Sequence, residues 1–431
     1  MSEKAIYADS FGYMLLHRLA AQYIHGSFRH YVCTGLENIP KDGEVIFTPN
    51  HCDALMDPLA VAMMDREKKV FVARADIFKK PAVGKILKFL KIMPINRIRD
   101  GLRSVVNVEE TVKKSIEVLN NRVKFCILPE GAHRPMHSLL PIGKGISRIA
   151  CGANQSAPDG DHIYIVPVGC EYGDYYRYRS TLLLQVGKPI DVTEYIAGHP
   201  ERSEYELMGD IREMTGEAIK EQIVWIPDDE DYAATWEIAR NVSGTIPERK
   251  VHQRFLANRS VVSRISRMRR EQPDKIRRIF DKATEFATRR KAAKVSIHST
   301  HANPVTGALL TTLKALVLLP LMVVLGIASA PGWGVAEYLA SRVKDKVFRN
   351  SFRCVALLAV WTLCLIVWAV VLFCCFRWYI ALAALLLLIP APLWTYDYIE
   401  NARRCISAWR YLFNKDLQQS HKELMNEIKN I

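Results

Sequence analysis

Apolar residues in the first half of the chain form short runs that alternate with amphipathic segments. The runs have the length and the β-branched content of buried strands, and they cover residues 45–47, 70–73, 124–128, 163–169 and 182–186. Between them, residues 81–90 and 102–119 place apolar side chains at three- and four-residue steps, which is typical of helices. Strands separated by helices predict an α/β domain, a sheet flanked by helices, that ends near Tyr195.

The second half follows a different pattern. A helical pattern over 201–224 leads into a basic segment, and three largely apolar stretches follow at 305–338, 354–376 and 378–396. The middle stretch has 23 residues without a charged side chain, whereas a bilayer-spanning helix needs about 20. The pattern therefore predicts an integral membrane protein with C-terminal transmembrane helices.

The membrane stretches differ in how they are interrupted. Only Arg377 separates the second from the third, which predicts a tight hairpin, and basic residues flank both its ends, so the positive-inside rule places those ends in the cytoplasm. Pro320, Gly326 and Pro331 interrupt the first stretch, which favours a re-entrant or kinked segment. A three-span topology, which would place Arg403 outside, is the alternative.

These patterns divide the chain into five segments. We expect an amphipathic N-terminal helix (1–30), an α/β domain (31–198), a helical, basic juxtamembrane region (199–304), a membrane region (305–402) and a cytoplasmic tail (403–431). The first helix either packs on the domain or lies in the membrane interface. Because the first thirty residues lack a signal-peptide pattern, the α/β domain is expected to face the cytoplasm from the inner, cytoplasmic or an equivalent membrane.

Charge is concentrated before the membrane stretches. The formal net charge is +14, and residues 249–294 supply 16 basic against 4 acidic side chains, a net +12. A basic helical segment in this position suits anionic lipid headgroups, and a solvated helix face is the simpler interpretation. No recognised nucleic-acid motif accompanies the charge, so no nucleic-acid partner is expected.

The ten cysteines are scattered, with no C-x-x-C pair and no histidine cluster at zinc-ligand spacing. Reduced thiols and no structural metal are therefore expected. Cys52 is a candidate nucleophile, although cysteine also serves as a small core residue.

The clearest candidates for catalytic residues lie in the stretch 48–58, between an apolar run and an apolar helix. Its His51 and Asp57 suit a dyad in which the imidazole takes a proton from a hydroxyl and the carboxylate fixes the tautomer. Two alternatives compete: Asp57 as an N-cap with Pro58 at the first helical position, and Asp53 as the partner of His51.

Other candidates follow later strands. Arg97 ends the extended run 92–96, where its guanidinium suits a phosphate. Glu130 and Gly131 stand just beyond the strand 124–128, where open α/β sheets bind ligands. Lys144 precedes a helix start that could receive an anion.

Four stretches in this order resemble the glycerol-phosphate/lysophosphatidate acyltransferase family. They are Asn50-His51 through Asp57-Pro58, Pro94-Ile95-Asn96-Arg97, Leu128-Pro129-Glu130-Gly131 with Lys144-Gly145, and Val166-Pro167-Val168-Gly169. The resemblance covers about residues 30–195, and four ordered motifs are far more specific than any one of them.

The resemblance implies a membrane-bound O-acyltransferase of phospholipid biosynthesis. His51 would be the general base, Asp57 its partner, Arg97 the ligand of the acceptor phosphate, and Glu130 with Gly131 part of the acceptor site. An acyl thioester, acyl-CoA or acyl-ACP, would be the co-substrate, with no further cofactor. The acceptor would be glycerol-3-phosphate or 1-acylglycerol-3-phosphate.

This chain departs from the family pattern at three points. His51 and Asp57 have H-x5-D spacing instead of the common H-x4-D, a longer form found in a subgroup that includes glycerol-3-phosphate acyltransferases. Lys91 stands where a glycine is usual and Ala132 where a threonine is usual. Two other functions stay open: a catalytically silent lipid-binding or membrane-organising protein, and a thioester hydrolase that uses Cys52.

Overall fold

The apolar runs of the first half form one mixed sheet in the computed structural model, which describes residues 5–8, 10–95, 103–158 and 160–429. Among these residues the sheet has eight strands. In chain order they are β1 (His30–Thr34), β2 (Glu44–Pro49), β3 (Lys69–Arg74), β4 (Ile92–Ile95), β5 (Lys124–Cys126), β6 (Ile163–Tyr172), β7 (Thr181–Val186) and β8 (Ile190–Asp191). The predicted α/β fold is confirmed.

The strand order is β1-β7-β6-β2-β5-β3-β4, with β8 also on β6. Strands β6, β2, β5, β3 and β4 run parallel, whereas β7 and β8 are antiparallel to β6. The central strand β2 is buried along its whole length, which explains its continuous apolar run Val45-Ile46-Phe47.

Seven helices of the described residues accompany the sheet. They are α1 (Phe11–Gly26), α2 (Met56–Ala62), α3 (Pro81–Phe89), α4 (Arg103–Asn120), α5 (Gly145–Ser156), α6 (Val192–Ala197) and α7 (Glu204–Lys220). By compactness the first unit comprises Met1–His25, Tyr31–Tyr175 and Leu182–Ile223.

Helix α7 belongs to the first unit, so this unit extends beyond residue 198, the predicted end of the α/β domain. The helix begins at a capping box between Ser203 and Glu206, and it packs on α5 and β6. Its C-terminal turn touches the sheet so closely that a Cβ atom on Gly169 would lie 2.0 Å from the Gln222 carbonyl oxygen. The first unit therefore extends to Ile223.

The second unit comprises Gly26–His30, Tyr176–Thr181 and Val224–Ile431. Its described helices are α8 (Tyr232–Ser243), α9 (Val251–Glu271), α10 (Pro273–Ala292), α11 (Ile297–Thr300), α12 (Pro304–Ser341), α13 (Phe348–Cys375), α14 (Trp378–Leu388), α15 (Ala391–Phe413) and α16 (Lys415–Ile428).

The basic segment forms two helices of a bundle. Helices α9 and α10 pack with each other and with α8, and α10 also packs with α16, so the segment 403–431 contributes a helix to this bundle. Its cytoplasmic location stays a prediction. The buried Arg290 pairs with Glu237 at 3.2 Å, whereas most other basic side chains of α9 and α10 lie outside the bundle core. Their binding to anionic headgroups stays a prediction.

The first membrane stretch is one continuous helix, so the re-entrant alternative is wrong, whereas the kinked one stays a prediction. Helix α12 runs for 38 residues and includes Pro320 and Pro331. Each proline removes one hydrogen bond to the residue four positions earlier, and the remaining bonds maintain the helix. At its start, Asn303 accepts bonds from the amides of Val305 and Thr306.

The hairpin turn at Arg377 is confirmed, but its second arm is shorter than predicted. Helix α14 has 11 residues, and a bend of 49° separates it from α15. Pro390 at this break lacks an amide hydrogen, which explains where α14 ends. By length and composition, two described helices can cross a membrane, or three if α14 and α15 count as one span.

The contact between α7 and β6 can be tested with two glycines. Gly169→Ala places a Cβ against the Gln222 carbonyl and should destabilise the first unit by about 1–3 kcal/mol through overpacking. Gly209→Ala, on α7 with no atom within 4 Å of its new Cβ, should stabilise the helix by up to about 1 kcal/mol. Differential scanning fluorimetry of the purified full chain measures both. An unchanged melting temperature in Gly169→Ala would contradict the packing.

Candidate active site

The site lies at one edge of the sheet, where three adjacent parallel strands end. His51 follows β2, Glu130 follows β5, and Tyr172 is the last residue of β6. Because β2 lies between β6 and β5 and all three run in the same direction, these residues meet at their carboxyl ends. The position predicted from the sequence is therefore the one that the strand order creates.

The carboxylate of Asp57 organises the turn after β2. Its Oδ2 accepts hydrogen bonds from His51 Nδ1 and from the amides of Cys52 and Asp53, each at 2.8 Å. Its Oδ1 accepts a bond from the Tyr172 hydroxyl, also at 2.8 Å. Asp57 is fully buried, whereas the His51 side chain keeps 18% of its surface exposed. The predicted contact between His51 and Asp57 is present.

The predicted N-cap is wrong. Helix α2 begins at Met56, so Asp57 is its second residue and Pro58 its third, and Leu55 occupies the cap position without a side-chain bond. The Asp57 carboxylate points back to the turn instead, where two backbone amides and the imidazole donate to it. Ala54 has a φ of 45°, a left-handed conformation that lets the six-residue spacing close on itself.

A second loop clamps the backbone of His51 from the other side. Glu130 Oε1 accepts the His51 amide at 2.6 Å, and Glu130 Oε2 accepts the Leu140 amide at 2.7 Å. The Arg134 amide donates to the His51 carbonyl at 3.0 Å. Gly131, with a φ of 64°, allows the turn that brings both groups into place. Glu130 is thus a brace for His51, and its role in acceptor binding stays a prediction.

Burial affects the ionisation of the site's acids. It raises the pKa of Glu130 to about 7, because the loss of solvent outweighs the hydrogen bonds from two backbone amides that lower this pKa. Burial also raises the pKa of Tyr172 well above its usual range, so the hydroxyl keeps the proton that it donates to Asp57.

Cys52 is not placed as a nucleophile. Its side chain is buried, and its thiol donates to the Cys170 carbonyl at 3.4 Å. Burial, followed by the negative charge of Asp57, raises the pKa of this thiol well above its usual range. The thiolate that nucleophilic attack requires is therefore scarce at neutral pH.

Sequence reasoning missed three residues of the site. Tyr172 bonds to Asp57, and Asn50 fastens β2 to β6 by accepting the Cys170 amide at 2.6 Å. The ring of His133 stands edge-on to that of His51, with centroids 5.6 Å apart. Asn50 lies next to His51 in the first motif, which is the one local signal that pointed to it.

The structure does not place the two remaining candidates, Arg97 and Lys144, beside the dyad. Arg97 lies outside the residues that the structure describes. Lys144 is exposed at the start of α5 and lines a groove of about 690 Å³ whose lining does not include His51. The Gly143 amide donates to the Pro129 carbonyl at 2.8 Å, which ties the Lys144 loop to the strand end that also carries Glu130. Phosphate binding by Arg97 and Lys144 stays a prediction.

Comparison with known proteins identifies the part of the chain that carries this site. Residues 30–171 match the model of the Acyltransferase family. This segment contains every candidate site residue predicted from the sequence, and Tyr172 follows directly after it. The resemblance predicted from the four motifs is confirmed.

Individual relatives are similar over limited segments. A 1-acyl-sn-glycerol-3-phosphate acyltransferase of Borreliella burgdorferi is 27% identical over 198 residues, which are 45% of this chain and 70% of the relative. Glycerol-3-phosphate O-acyltransferase 2 of Saccharomyces cerevisiae is 34% identical over 83 residues, 19% of this chain and only 11% of the yeast protein. The solved 1-acyl-sn-glycerophosphate (LPA) acyltransferase PlsC of Thermotoga maritima has a TM-score of 0.36 and 22% identity, over 48% of this chain and 78% of that one.

The bond from Tyr172 to Asp57 predicts a positioning role. Tyr172→Phe leaves the buried carboxylate without one donor, and a hydrogen bond to a charged group contributes about 1.5–3 kcal/mol. We expect kcat of acyl transfer to fall by about 10- to 100-fold with little change in KM. Tyr175→Phe is the control, because that hydroxyl bonds to His137. Equal losses in the two variants would argue against the role of Tyr172.

The raised pKa of Glu130 predicts a pH-dependent stability. The unfolded carboxyl titrates near its ordinary pKa of about 4.3, so between this value and about 7 the folded chain holds a proton that the unfolded chain has lost. The contribution of Glu130 to stability is therefore full below about pH 4 and is lost as the pH rises through about 7. Glu130→Gln should flatten the fall in melting temperature between these pH values.

Glu44 provides the matched control for this prediction. It lies at the opposite end of β2, and burial raises its pKa to about 7 as well. Glu44→Gln should flatten the same pH dependence while it preserves acyl transfer. Glu130→Gln should also lose activity, because its single carbonyl oxygen cannot accept the His51 and Leu140 amides together. Full activity in Glu130→Gln would show that the brace is dispensable.

Proposed function

We propose, on the premise that residues 30–171 form an Acyltransferase-family domain, that the chain is a membrane-bound glycerolipid O-acyltransferase. It would transfer a fatty acyl group from an acyl thioester to glycerol-3-phosphate or 1-acylglycerol-3-phosphate. The observation that carries the proposal is the 2.8 Å contact between His51 Nδ1 and the buried Asp57. Relatives named for both acceptors support this substrate class.

The dyad geometry is suited to general-base catalysis. Asp57 holds Nδ1 as the protonated nitrogen, so Nε2 of His51 accepts the proton of the acceptor hydroxyl. The hydroxyl oxygen then attacks the thioester carbonyl carbon and forms a tetrahedral oxyanion. When this intermediate collapses, the carbon–sulfur bond breaks and the imidazolium returns its proton to the leaving thiolate. The products are an ester and a free thiol, and no acyl-enzyme is required.

Substrate binding is assigned to basic and loop residues of the same domain. Arg97 would hold the acceptor phosphate in a bidentate contact, and Gly131 would allow the acceptor to approach the loop backbone. Lys144, exposed at the start of α5, would add positive charge for a second anionic group. The donor would be acyl-CoA or acyl-ACP, and it would supply the acyl group without a further cofactor.

The membrane helices suit an enzyme whose acylated product resides in a bilayer. Helices α12 and α13 are long and apolar enough to cross it. The catalytic domain would face the cytoplasm, as the basic residues that flank the hairpin suggest.

A thioester hydrolase is the second candidate, with water or Cys52 in place of the acceptor hydroxyl. The burial of Cys52 and its raised thiol pKa argue against the cysteine as nucleophile. A catalytically silent lipid-binding protein would not need an imidazole so closely paired with a carboxylate.

The proposed reaction predicts the behaviour of His51→Ala. Without the base, transfer of labelled acyl groups into glycerol-3-phosphate or lysophosphatidate should fall by at least about 100-fold, the lower range for general-base catalysis. Lipid mass spectrometry of membranes offered both acceptors would identify the product. Cys52→Ser should retain most of the activity. Wild-type activity in His51→Ala would overturn the mechanism, and free fatty acid as the main product would favour the hydrolase.

A further inference from the structure

Two carboxylates of the second unit are surrounded by arginines from four segments of the chain. Glu248 forms ion pairs with Arg177 at 2.9 Å, with Arg404 at 3.1 Å and with Arg29 at 3.6 Å. Arg29 also reaches the second carboxylate, Asp397, at 3.1 Å. One guanidinium therefore joins both acids into a single network.

Two further arginines complete this group. Arg179 contacts Asp397 at 2.6 Å, and its guanidinium also donates to the Phe28 carbonyl at 3.1 Å. Arg254, in the first turn of α9, interacts electrostatically with Glu248 and with the neighbouring guanidinium groups. We call the five side chains Arg29, Arg177, Arg179, Arg254 and Arg404 the arginine cluster.

The arginine cluster has a surplus of positive charge. Five guanidinium groups face two carboxylates, which leaves three positive charges among these seven groups. The ion-paired side chains keep only 12–22% of their surface exposed, so solvent screens the surplus poorly yet still reaches it. Partly desolvated charge without compensation is costly, and an anion in this position would offset the cost.

Neighbouring groups respond to this electrostatic environment. Burial opposes the ionisation of Glu248, yet Arg404 and Arg177 outweigh it and hold the pKa of this carboxyl far below its usual range. Burial, together with the positive charge of Arg404, lowers the pKa of His298 to about 3. His298 therefore stays neutral and adds no charge of its own at neutral pH.

An aromatic group adjoins the arginine cluster. Tyr178 packs edge-on against Trp333 and Tyr396, with centroids 5.7 and 5.4 Å away, and Trp333 stacks on Tyr396 at 5.2 Å. Tryptophan and tyrosine concentrate at the level of lipid headgroups. Tyr178 directly precedes Arg179, and Tyr396 directly precedes Asp397. The charged network therefore begins next to these aromatic rings.

We propose that the arginine cluster is a binding site for a phosphate group carrying two negative charges, separate from the residues of the proposed acyl transfer. The planar guanidinium groups match phosphate oxygens in bidentate pairs. The phosphate would come from the headgroup of an anionic phospholipid or from a free phosphate in solution. The site does not depend on the proposed reaction, because none of its residues belongs to the dyad or to its loops.

Arg254 is the most informative residue to change. No ion pair within 4 Å is found for its side chain among the described residues, so Arg254→Gln reduces the surplus while Glu248 and Asp397 keep their partners. The probe is dihexanoyl phosphatidic acid, titrated into the purified full chain in detergent by isothermal calorimetry. We expect its affinity to fall by about tenfold, as the loss of one charge-assisted contact implies.

A second variant changes the charge in the opposite direction. Glu248→Gln raises the surplus to four and should strengthen binding of the probe, which keeps the proposal testable if Arg254→Gln does not fold. Arg277→Gln is the matched control, because it removes a positive charge from α10 outside the arginine cluster. Arg277→Gln should bind the probe with the same affinity as the wild type.

Further measurements distinguish the site and the source of the phosphate. Arg97→Ala should leave intact the binding that Arg254→Gln weakens. Loss of all binding in Arg97→Ala with full binding in Arg254→Gln would place the ligand in the active site and overturn the proposal. Equal losses in Arg277→Gln and Arg254→Gln would overturn it as well. Competition by millimolar inorganic phosphate would support a site for free phosphate, and binding that resists it while dihexanoyl phosphatidylcholine fails to bind would support an anionic lipid headgroup.

Discussion

The site depends on one buried carboxylate. Asp57 is fully excluded from solvent, so its charge must be neutralised by donors that the surrounding chain supplies. Two amides of the turn, the Tyr172 hydroxyl and His51 Nδ1 supply them. The same contacts favour the imidazole tautomer with its proton on Nδ1, which would leave Nε2 free to act as the proposed base. The contacts that allow Asp57 to be buried are therefore the same contacts that orient His51. The turn that supplies them requires the left-handed conformation of Ala54, which is strained for a residue other than glycine.

The parallel strand order gives this requirement its setting. With β2 between β5 and β6, the loops that follow these strands meet at one edge, and each contributes to His51 or to its partner. Glu130 joins the loops after β2 and β5 by accepting hydrogen bonds from a backbone amide of each, and Tyr172 joins β6 to Asp57. If His51 is the proposed base, its support on both sides means that it loses little freedom when a substrate binds, which is the benefit of a preorganised site.

Charge is used in a different way in the second unit. Most basic side chains of α9 and α10 cover the outside of a bundle, and Arg290 is the buried exception because Glu237 neutralises it. The arginine cluster differs from both, since its positive charges outnumber its carboxylates beside the aromatic group of Tyr178, Trp333 and Tyr396. This imbalance, and not the overall basic composition, distinguishes a specific anion site from a generally basic surface.

The sequence by itself determined the elements whose signals are local. The unbroken apolar run of β2, the hairpin turn at Arg377 and the six-residue step from His51 to Asp57 each depend on near neighbours. Only the tertiary structure decided the partners of Asp57, Glu130 and Asp397, because Tyr172 lies 115 residues from Asp57, His51 lies 79 from Glu130, and Arg179 lies 218 from Asp397. The periodicity of apolar residues along the sequence does not indicate such pairings, because they arise only when strand order and helix packing bring distant segments together.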